Sequence, residues 1–232
     1  MALPVAARIP LVAGVTGLSL TVLNQLTAGS ADPALQRAGV LASILAVVLM
    51  LVGLLWTRIT PEAAQRAALE GREALELEPA LAEGPRTELA WGSAMLLTAT
   101  PAAALLLLWG DVVLLRRGLL PADAPSLAPF PPGPICRRAL QNGRAISLVD
   151  LRLYPGRDEF EALLPGLPAV VVQPLGGEGV LLVGGWSARC FSRSDLTWLE
   201  GWARRLTGEW APALEVAARQ AAERSGAAPE TG

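Results

Sequence analysis

The chain has 232 residues, 52% of them hydrophobic and 17% charged, with a formal net charge of −2. Gripping a nucleic-acid backbone takes many phosphate-neutralising cations, so this balance points away from nucleic acid as a partner. There is no histidine, and every one of the 19 basic side chains is arginine; Ser-His-Asp and Cys-His nucleophile systems, histidine zinc sites, a Walker lysine and a Schiff-base lysine are all removed, and neither a catalytic set nor a metal site is expected.

From Ile9 to Ala31 there are 23 residues without a charge, and from Ala38 to Thr57 another 20. Each run is long enough to cross about 30 Å of hydrocarbon as a helix. Residues 1–58 are therefore expected to form a transmembrane hairpin, with spans at about 9–28 and 38–57. The first run also has the outline of a signal peptide, with Arg8 ahead of it and AGSA behind, and that alternative stays open. Gly14, Gly17 and Ser19 would let the two helices approach closely. Arg8 lies before the first run, Arg58, Arg66 and Arg72 after the second, and only Arg37 between them beside Asp32. The positive-inside rule then places both termini on the cytoplasmic side.

Residues 59–84 read as a polar helical linker: Thr60 as N-cap, Pro61 at the first helical position, Glu62 in the first turn, and Gly84-Pro85 as punctuation. A third uncharged run, Trp91 to Trp109, has the hydropathy of a span, but Thr98, Thr100 and Pro101 interrupt it. The runs on either side of Gly110-Asp111 carry a hairpin signature. The expectation is a helix over 85–97 and strands over 103–109 and 112–117. Six prolines between Pro121 and Pro134 exclude helix and sheet, giving an extended loop. A short helix over 135–141 should stop at Asn142-Gly143, followed by a strand over 145–151. AVVVQPL and VLLVGG around GGEG form a second hairpin; the glycines lack both the spacing and the following helix of a phosphate-binding loop.

Ser192 and Asp195 form a capping-box variant opening a helix whose apolar face is Leu196, Leu199, Trp202 and Leu206, joined more loosely by Trp198. A last amphipathic helix over 212–224 precedes the tail SGAAPETG, so that 208–232 is a C-terminal helix and disordered tail. This order of elements makes residues 85–207 an α+β domain with a mainly antiparallel sheet, similar in arrangement to GAF or PAS-like domains. Such folds serve as small-ligand sensors, cofactor pockets and dimerisation modules alike. Cys136 and Cys190 lie 54 residues apart in the sequence. They read as small buried or half-buried residues, with a disulfide between them left open.

The stretch LYPGRDEF, Leu153 to Phe160, holds the single tyrosine of the chain. Read as a turn, it has Pro155-Gly156 at the centre of a type II turn with Leu151, Leu153 and Phe160 inward, and Asp158 and Glu159 as solvated carboxylates. Read functionally, Tyr154, Arg157 and Glu159 form an exposed, arginine-centred contact, and the candidate set is Tyr154, Pro155, Gly156, Arg157, Glu159, Phe160 and Arg189. Arginine suits such a contact because its planar fork donates bidentate hydrogen bonds to carboxylates.

Together, LYPGRDEF, ELAWGSAMLLTAT, LLRRGLL, VVQPLGGEGVLLVGG, GLLWTRITP after the second span, and the aspartate and tryptophan of the helix after Ser192 resemble the cofactor assembly of complex C (B-subunit) family of cyanobacteria and chloroplasts, over about residues 9–207. The resemblance implies a membrane-anchored assembly factor that helps attach the single-thioether haem on the stromal or cytoplasmic side of cytochrome b in the cytochrome b6f complex. It implies a related paralogous subunit as heterodimer partner, apocytochrome b as client, and a thylakoid membrane location with the soluble domain on the stromal side. It supplies no catalytic residue, and leaves open a non-catalytic platform or one subunit of a haem lyase complex. Cys190 stands in ARCF where a hydroxyl residue is expected, and the proline-rich insert is longer than usual. Without histidine, an axial haem bond would have to come from Cys136, Cys190, Tyr154 or Met95; no tightly bound cofactor is therefore expected, and any haem would be held transiently.

Overall fold

The computed structural model describes residues 5–27, 33–59 and 66–226. The chain divides into two compact units, Met1–Ala63 and Ala64–Gly232. The start expected at Thr60 for a polar helix, and the tail from residue 227 onward, lie outside the described residues.

In the first unit, α1 (Val5–Thr27) and α2 (Pro33–Ile59) pack side by side. Both are long and apolar enough to cross a membrane, over Arg8–Thr27 and Gln36–Leu55. Their contact is made by small residues: a Cβ on Gly14 would meet Met50 Cγ at 2.6 Å and the Ala46 carbonyl oxygen at 2.8 Å. Ala46 is itself buried, while Ile9, Leu20, Leu41, Leu45 and Leu55 face outward. Small residues inside and large aliphatic ones outside is the arrangement of helices that pack in lipid.

The second unit is α+β. Its elements are β1 (Arg72–Leu77), α3 (Glu83–Ala99), β2 (Ala102–Trp109), β3 (Val112–Leu120), α4 (Pro134–Asn142), β4 (Ile146–Leu148), β5 (Ala169–Leu175), β6 (Gly179–Gly185), α5 (Arg193–Arg205) and α6 (Ala211–Gly226). The strands make one sheet in the order β1-β3-β2-β6-β5-β4, with every neighbouring pair antiparallel. Side chains alternate across it: Leu105, Leu107, Val171, Leu175, Leu181 and Val183 enter one core, and Leu106, Leu108, Val170, Val172, Val180 and Leu182 the other. Strands buried on both faces need unbroken apolar runs, which is why the Trp91–Trp109 segment has the hydropathy of a span although it is the end of α3 and the whole of β2. α3, α5 and α6 cover the first core, through Leu89, Leu96, Leu199, Trp202, Leu214 and Ala217. Residues 127–167, including α4, supply the cover of the second, through Phe130, Cys136, Ala139, Phe160, Leu163 and Leu164.

Three expectations about elements and bounds are corrected. Residues 72–77 of the anticipated polar helical linker form β1, drawn into the sheet by pairing with β3, Leu75 opposite Arg117 and Glu76 opposite Arg116. The α+β unit accordingly begins ahead of residue 85, and it continues past 207 because α6 buries Leu214, Ala217, Ala218 and Ala221. The strand expected over 145–151 is limited to Ile146–Leu148, after which the chain turns through a short 3-10 helix at Leu151–Leu153. Helices α5 and α6 are joined by a π-helical turn, Leu206–Trp210. The stop at Asn142-Gly143 forms as expected, with Gly143 at φ +59°, a left-handed C-cap. Ser192 and Asp195 make both hydrogen bonds of the capping box.

Candidate functional site

The backbone around LYPGRDEF is set by its neighbours in the second cover. Asp150 ends the path from β4 and accepts from the backbone N–H of Arg152, starting the 3-10 turn that carries Leu151 inward. That tight turn breaks strand alternation, so Leu151 is buried while Leu153 is 69% exposed, against the expectation that both point inward. The Arg157 N–H then donates to the Tyr154 carbonyl at 3.3 Å. Gly156 at that turn has φ −91° and ψ +19°, the geometry of a type I turn and not the type II expected, which would need a positive φ there.

The candidate residues separate into outward and inward groups. Pro155, Gly156 and Arg157 are exposed at the apex, and the Arg157 side chain has its ion-pair contact with Asp158 at 3.9 Å. Tyr154 is half-buried and packs against the second core, and Phe160 lies inside it, 1% exposed. Glu159 is no exposed contact residue. Its carboxylate accepts three backbone N–H groups at the start of α4: Gly133 and Cys136 on Oε1, and Ile135 on Oε2, each at 2.9 Å. The residue preceding α4, Gly133, has no side chain with which to cap it. A helix N-terminus leaves N–H groups unpaired and carries partial positive charge, and Glu159 supplies from 23 to 26 residues away what a local cap would have supplied.

Arg189 reaches the segment just ahead of the turn and not the turn itself: its N–H donates to the Val149 carbonyl at 2.6 Å. Its backbone sits at φ +56°, unusual for a residue with a Cβ. Beside it, Arg152 grips Asp150 with two bonds, Nε to Oδ1 at 3.0 Å and Nη2 to Oδ2 at 2.8 Å. This fork, assisted by the charge of Arg189, holds the Asp150 carboxyl below its ordinary range.

Both cysteines are free thiols. Cys136 is fully buried, and burial, reinforced by the hydrogen bond and charge of Glu159, pushes its thiol far above the ordinary range. Cys190 is half-buried, with Sγ against the Gly185 backbone, and burial raises its thiol as well. An axial haem bond needs an open donor, so the buried Cys136 and the crowded Cys190 do not fit one. Met95 is the exposed donor among those expected, 44% accessible on α3.

Arg116, from LLRRGLL, is 1% exposed and donates to the Ala128 carbonyl at 2.9 Å and the Ala162 carbonyl at 3.1 Å. It ties the proline-rich loop and the segment after Phe160 to the sheet. On the opposite cover, α3 and α5 leave an open cavity of about 630 Å³ whose walls include Trp91, Met95 and Trp198. Trp198 is 71% exposed and Trp91 58%, so Trp198 stands outside the core to which Leu199, Trp202 and Leu206 belong. The sequence signal for this surface was the helical phase of Trp198, which falls one residue away from Leu199.

A model of the family described as cofactor assembly of complex C B-subunit, CCB2/CCB4, matches residues 9–206. The chloroplastic protein Cofactor assembly of complex C B-subunit CCB4 of Arabidopsis thaliana is 29% identical over 210 residues, which are 85% of this chain and 71% of the relative. Among solved structures, the free methionine-R-sulfoxide reductase of Neisseria meningitidis, solved with its substrate, is 23% identical, covering 57% of this chain and 78% of that one, with a TM-score of 0.41. The GAF domain of a phosphoenolpyruvate-protein phosphotransferase from Coxiella burnetii is 22% identical, covering 64% and 89%, with a TM-score of 0.40.

Proposed function

Because the chain belongs to the cofactor assembly of complex C family, CCB2/CCB4, we propose that it is a membrane-anchored assembly factor for the cytochrome b6f complex. Its task in this reading is the attachment of the stromal-side, single-thioether haem to cytochrome b, with a related subunit as partner and the thylakoid as its membrane. The carrying observation is that the family match runs through both units, from residue 9 in α1 to residue 206, just past the end of α5. Anchor and α+β unit thus go together in the family.

The form of the α+β unit supports a platform over a sensor for small ligands. Both faces of the sheet are filled by side chains, and two cavities of this unit open on the outer surface of its helices. A platform works through exposed contacts, and the turn apex offers them: Arg157, with Pro155 and Gly156, and nearby Arg189. The guanidinium of Arg157 suits a carboxylate of the partner subunit, of apocytochrome b or of the haem cargo.

Deleting the gene in a host that makes cytochrome b6f should give cytochrome b that lacks only its stromal-side covalent haem, read by haem staining of denatured protein. Normally stained cytochrome b in that strain would end the proposal. Replacing Arg157 by Glu should abolish co-purification of the partner while the far-ultraviolet circular dichroism stays native, since the side chain makes no contact on which the fold depends. Unchanged co-purification would reduce the apex to a turn.

A further inference from the structure

We infer that the end of the α+β unit around Trp186 docks on the anionic headgroups of a lipid bilayer, with Arg66, Arg152 and Arg189 against the headgroups and Val149 and Leu153 entering the interface. The inference rests on the membrane anchoring by α1 and α2 proposed above and on nothing that concerns haem. It assigns Arg189 to lipid and leaves Arg157 to the protein partner.

Three distant stretches of chain are bonded together to make this patch. The Ala67 N–H donates to the Trp186 carbonyl at 2.7 Å, and the Arg66 guanidinium lies over the Trp186 ring, 5.8 Å from its centre. From Trp186 the chain runs on to Arg189, whose N–H donates to the Val149 carbonyl. Arg152 follows in the 3-10 turn, its side chain 78% exposed although it grips Asp150. Leu153, at 69%, is after Trp198 the most exposed large apolar side chain described in this unit, and Val149 stands at 40%. Arginines around exposed aliphatic side chains and a half-buried indole are what the boundary between water and hydrocarbon selects. The guanidinium heads meet the anionic groups, and the apolar side chains enter the layer beneath.

The charges agree with this occupant. The chain as a whole carries a net charge of −2, yet all seven arginines between Pro134 and Arg193 are exposed. Two of the five carboxylates in that stretch are turned inward, Asp150 onto Arg152 and Glu159 onto the start of α4. Among the described residues, neither Arg66 nor Arg189 makes an ion pair. The place of the patch along the chain favours a bilayer over an acidic protein. Ala67 follows Ile59, the last residue of α2, by eight residues, and such a stretch spans at most roughly 29 Å. Headgroups beside α2 are therefore within reach of the patch whatever the arrangement of the two units.

The test uses the full chain reconstituted in vesicles, with Cys190→Ser and with Leu153→Cys carrying an environment-sensitive fluorophore; Cys136 is buried and stays unlabelled. In vesicles with about one third phosphatidylglycerol, lipids bearing a nitroxide near the headgroup should quench the label. Quenching should disappear in pure phosphatidylcholine and in about 1 M salt, where charges are screened beyond about 3 Å. Arg66→Gln together with Arg189→Asn, a residue that tolerates the left-handed backbone, should leave circular dichroism unchanged. That pair should lower the ratio of docked to undocked chain roughly twentyfold, at about fivefold for each arginine near an anionic surface. The same label on Val216→Cys, at a residue 50% exposed on α6, should stay unquenched. A chain that floats with the vesicles while its Leu153→Cys label stays unquenched would overturn the inference and leave the anchor standing; a chain that does not float would overturn both. Equal quenching in neutral and anionic vesicles, or equal quenching at Val216→Cys, would also overturn it. So would a label shielded only when proteins from the native membranes are added, because the occupant would then be a protein.

Discussion

The two covers of the sheet differ in how they are held. Over one face lie three helices, whose apolar sides meet the strands and whose charges mostly pair with one another at the surface. Over the other, residues 121–167 contain a single helix of nine residues and otherwise run as proline-rich loop and 3-10 turns, apart from the three residues of β4. Helices satisfy their own backbone and need only an apolar stripe to dock. An irregular cover leaves carbonyls and N–H groups that must find partners elsewhere, and here charged side chains provide them, among them Arg116 and Glu76 from the sheet and Glu159 from the turn.

The contrast orders the consequences of removing charges. Arg116→Ala should be the most damaging, about 3–5 kcal/mol, because it strands the Ala128 and Ala162 carbonyls and takes a neighbouring cation from buried Glu76. Chemical denaturation should show it, and a loss under about 1 kcal/mol would mean the loop is held by packing alone. Glu159→Ala should cost about 2–3 kcal/mol through three lost charge-assisted bonds at the start of α4. It should also speed alkylation of Cys136, which the wild type keeps buried. On the helical cover, Glu88→Ala removes bonds to Trp202 and Arg205 but should cost only about 1 kcal/mol, since the half-exposed Arg205 can turn to water. A loss as large as that of Glu159→Ala would erase the distinction between the covers.

The smallest effect is one of pH. The folded Asp150 carboxyl lies below its unfolded value because of the Arg152 fork. Its contribution is therefore complete above the unfolded value, about pH 4, and is lost as pH falls through the folded one. The stability gap between the wild type and Asp150→Asn should be flat above about pH 5 and should shrink below about pH 4; a gap unchanged at about pH 3 would show that the fork contributes no charge-dependent stability.

The helical cover and the central strands were legible in the sequence because periodicity carries them. β2 is an unbroken apolar run, β5 is broken only by Gln173 and β6 holds only aliphatic residues and glycine, while the Leu199, Trp202 and Leu206 phase predicts the buried side of α5 and the turn after it. β1 was not, because its alternation is inverted: Glu76 is buried, bonded by its carboxylate to the Leu127 N–H and to Arg72, while Leu75 on the other side is 43% exposed. A polar residue turned inward to meet a loop from another part of the chain leaves no local mark. The same holds for the Asp158-Glu159 pair. Both read as solvated carboxylates; Asp158 is one, with an 88% exposed side chain, and Glu159 is the remote cap of a helix whose own first residues cannot cap it. The missing cap at Gly133-Pro134 was the available signal. At the candidate site, the sequence placed a turn at Pro155-Gly156 and an exposed Arg157 where the structure has them, but could not tell which of the other charges faced outward.

The most direct measurement is purification of the tagged chain from its native membranes with native lipids, followed by mass spectrometry of what accompanies it. An assembly platform for complex C should bring down a related subunit of its own family together with cytochrome b. Recovery of the chain with neither would contradict that function.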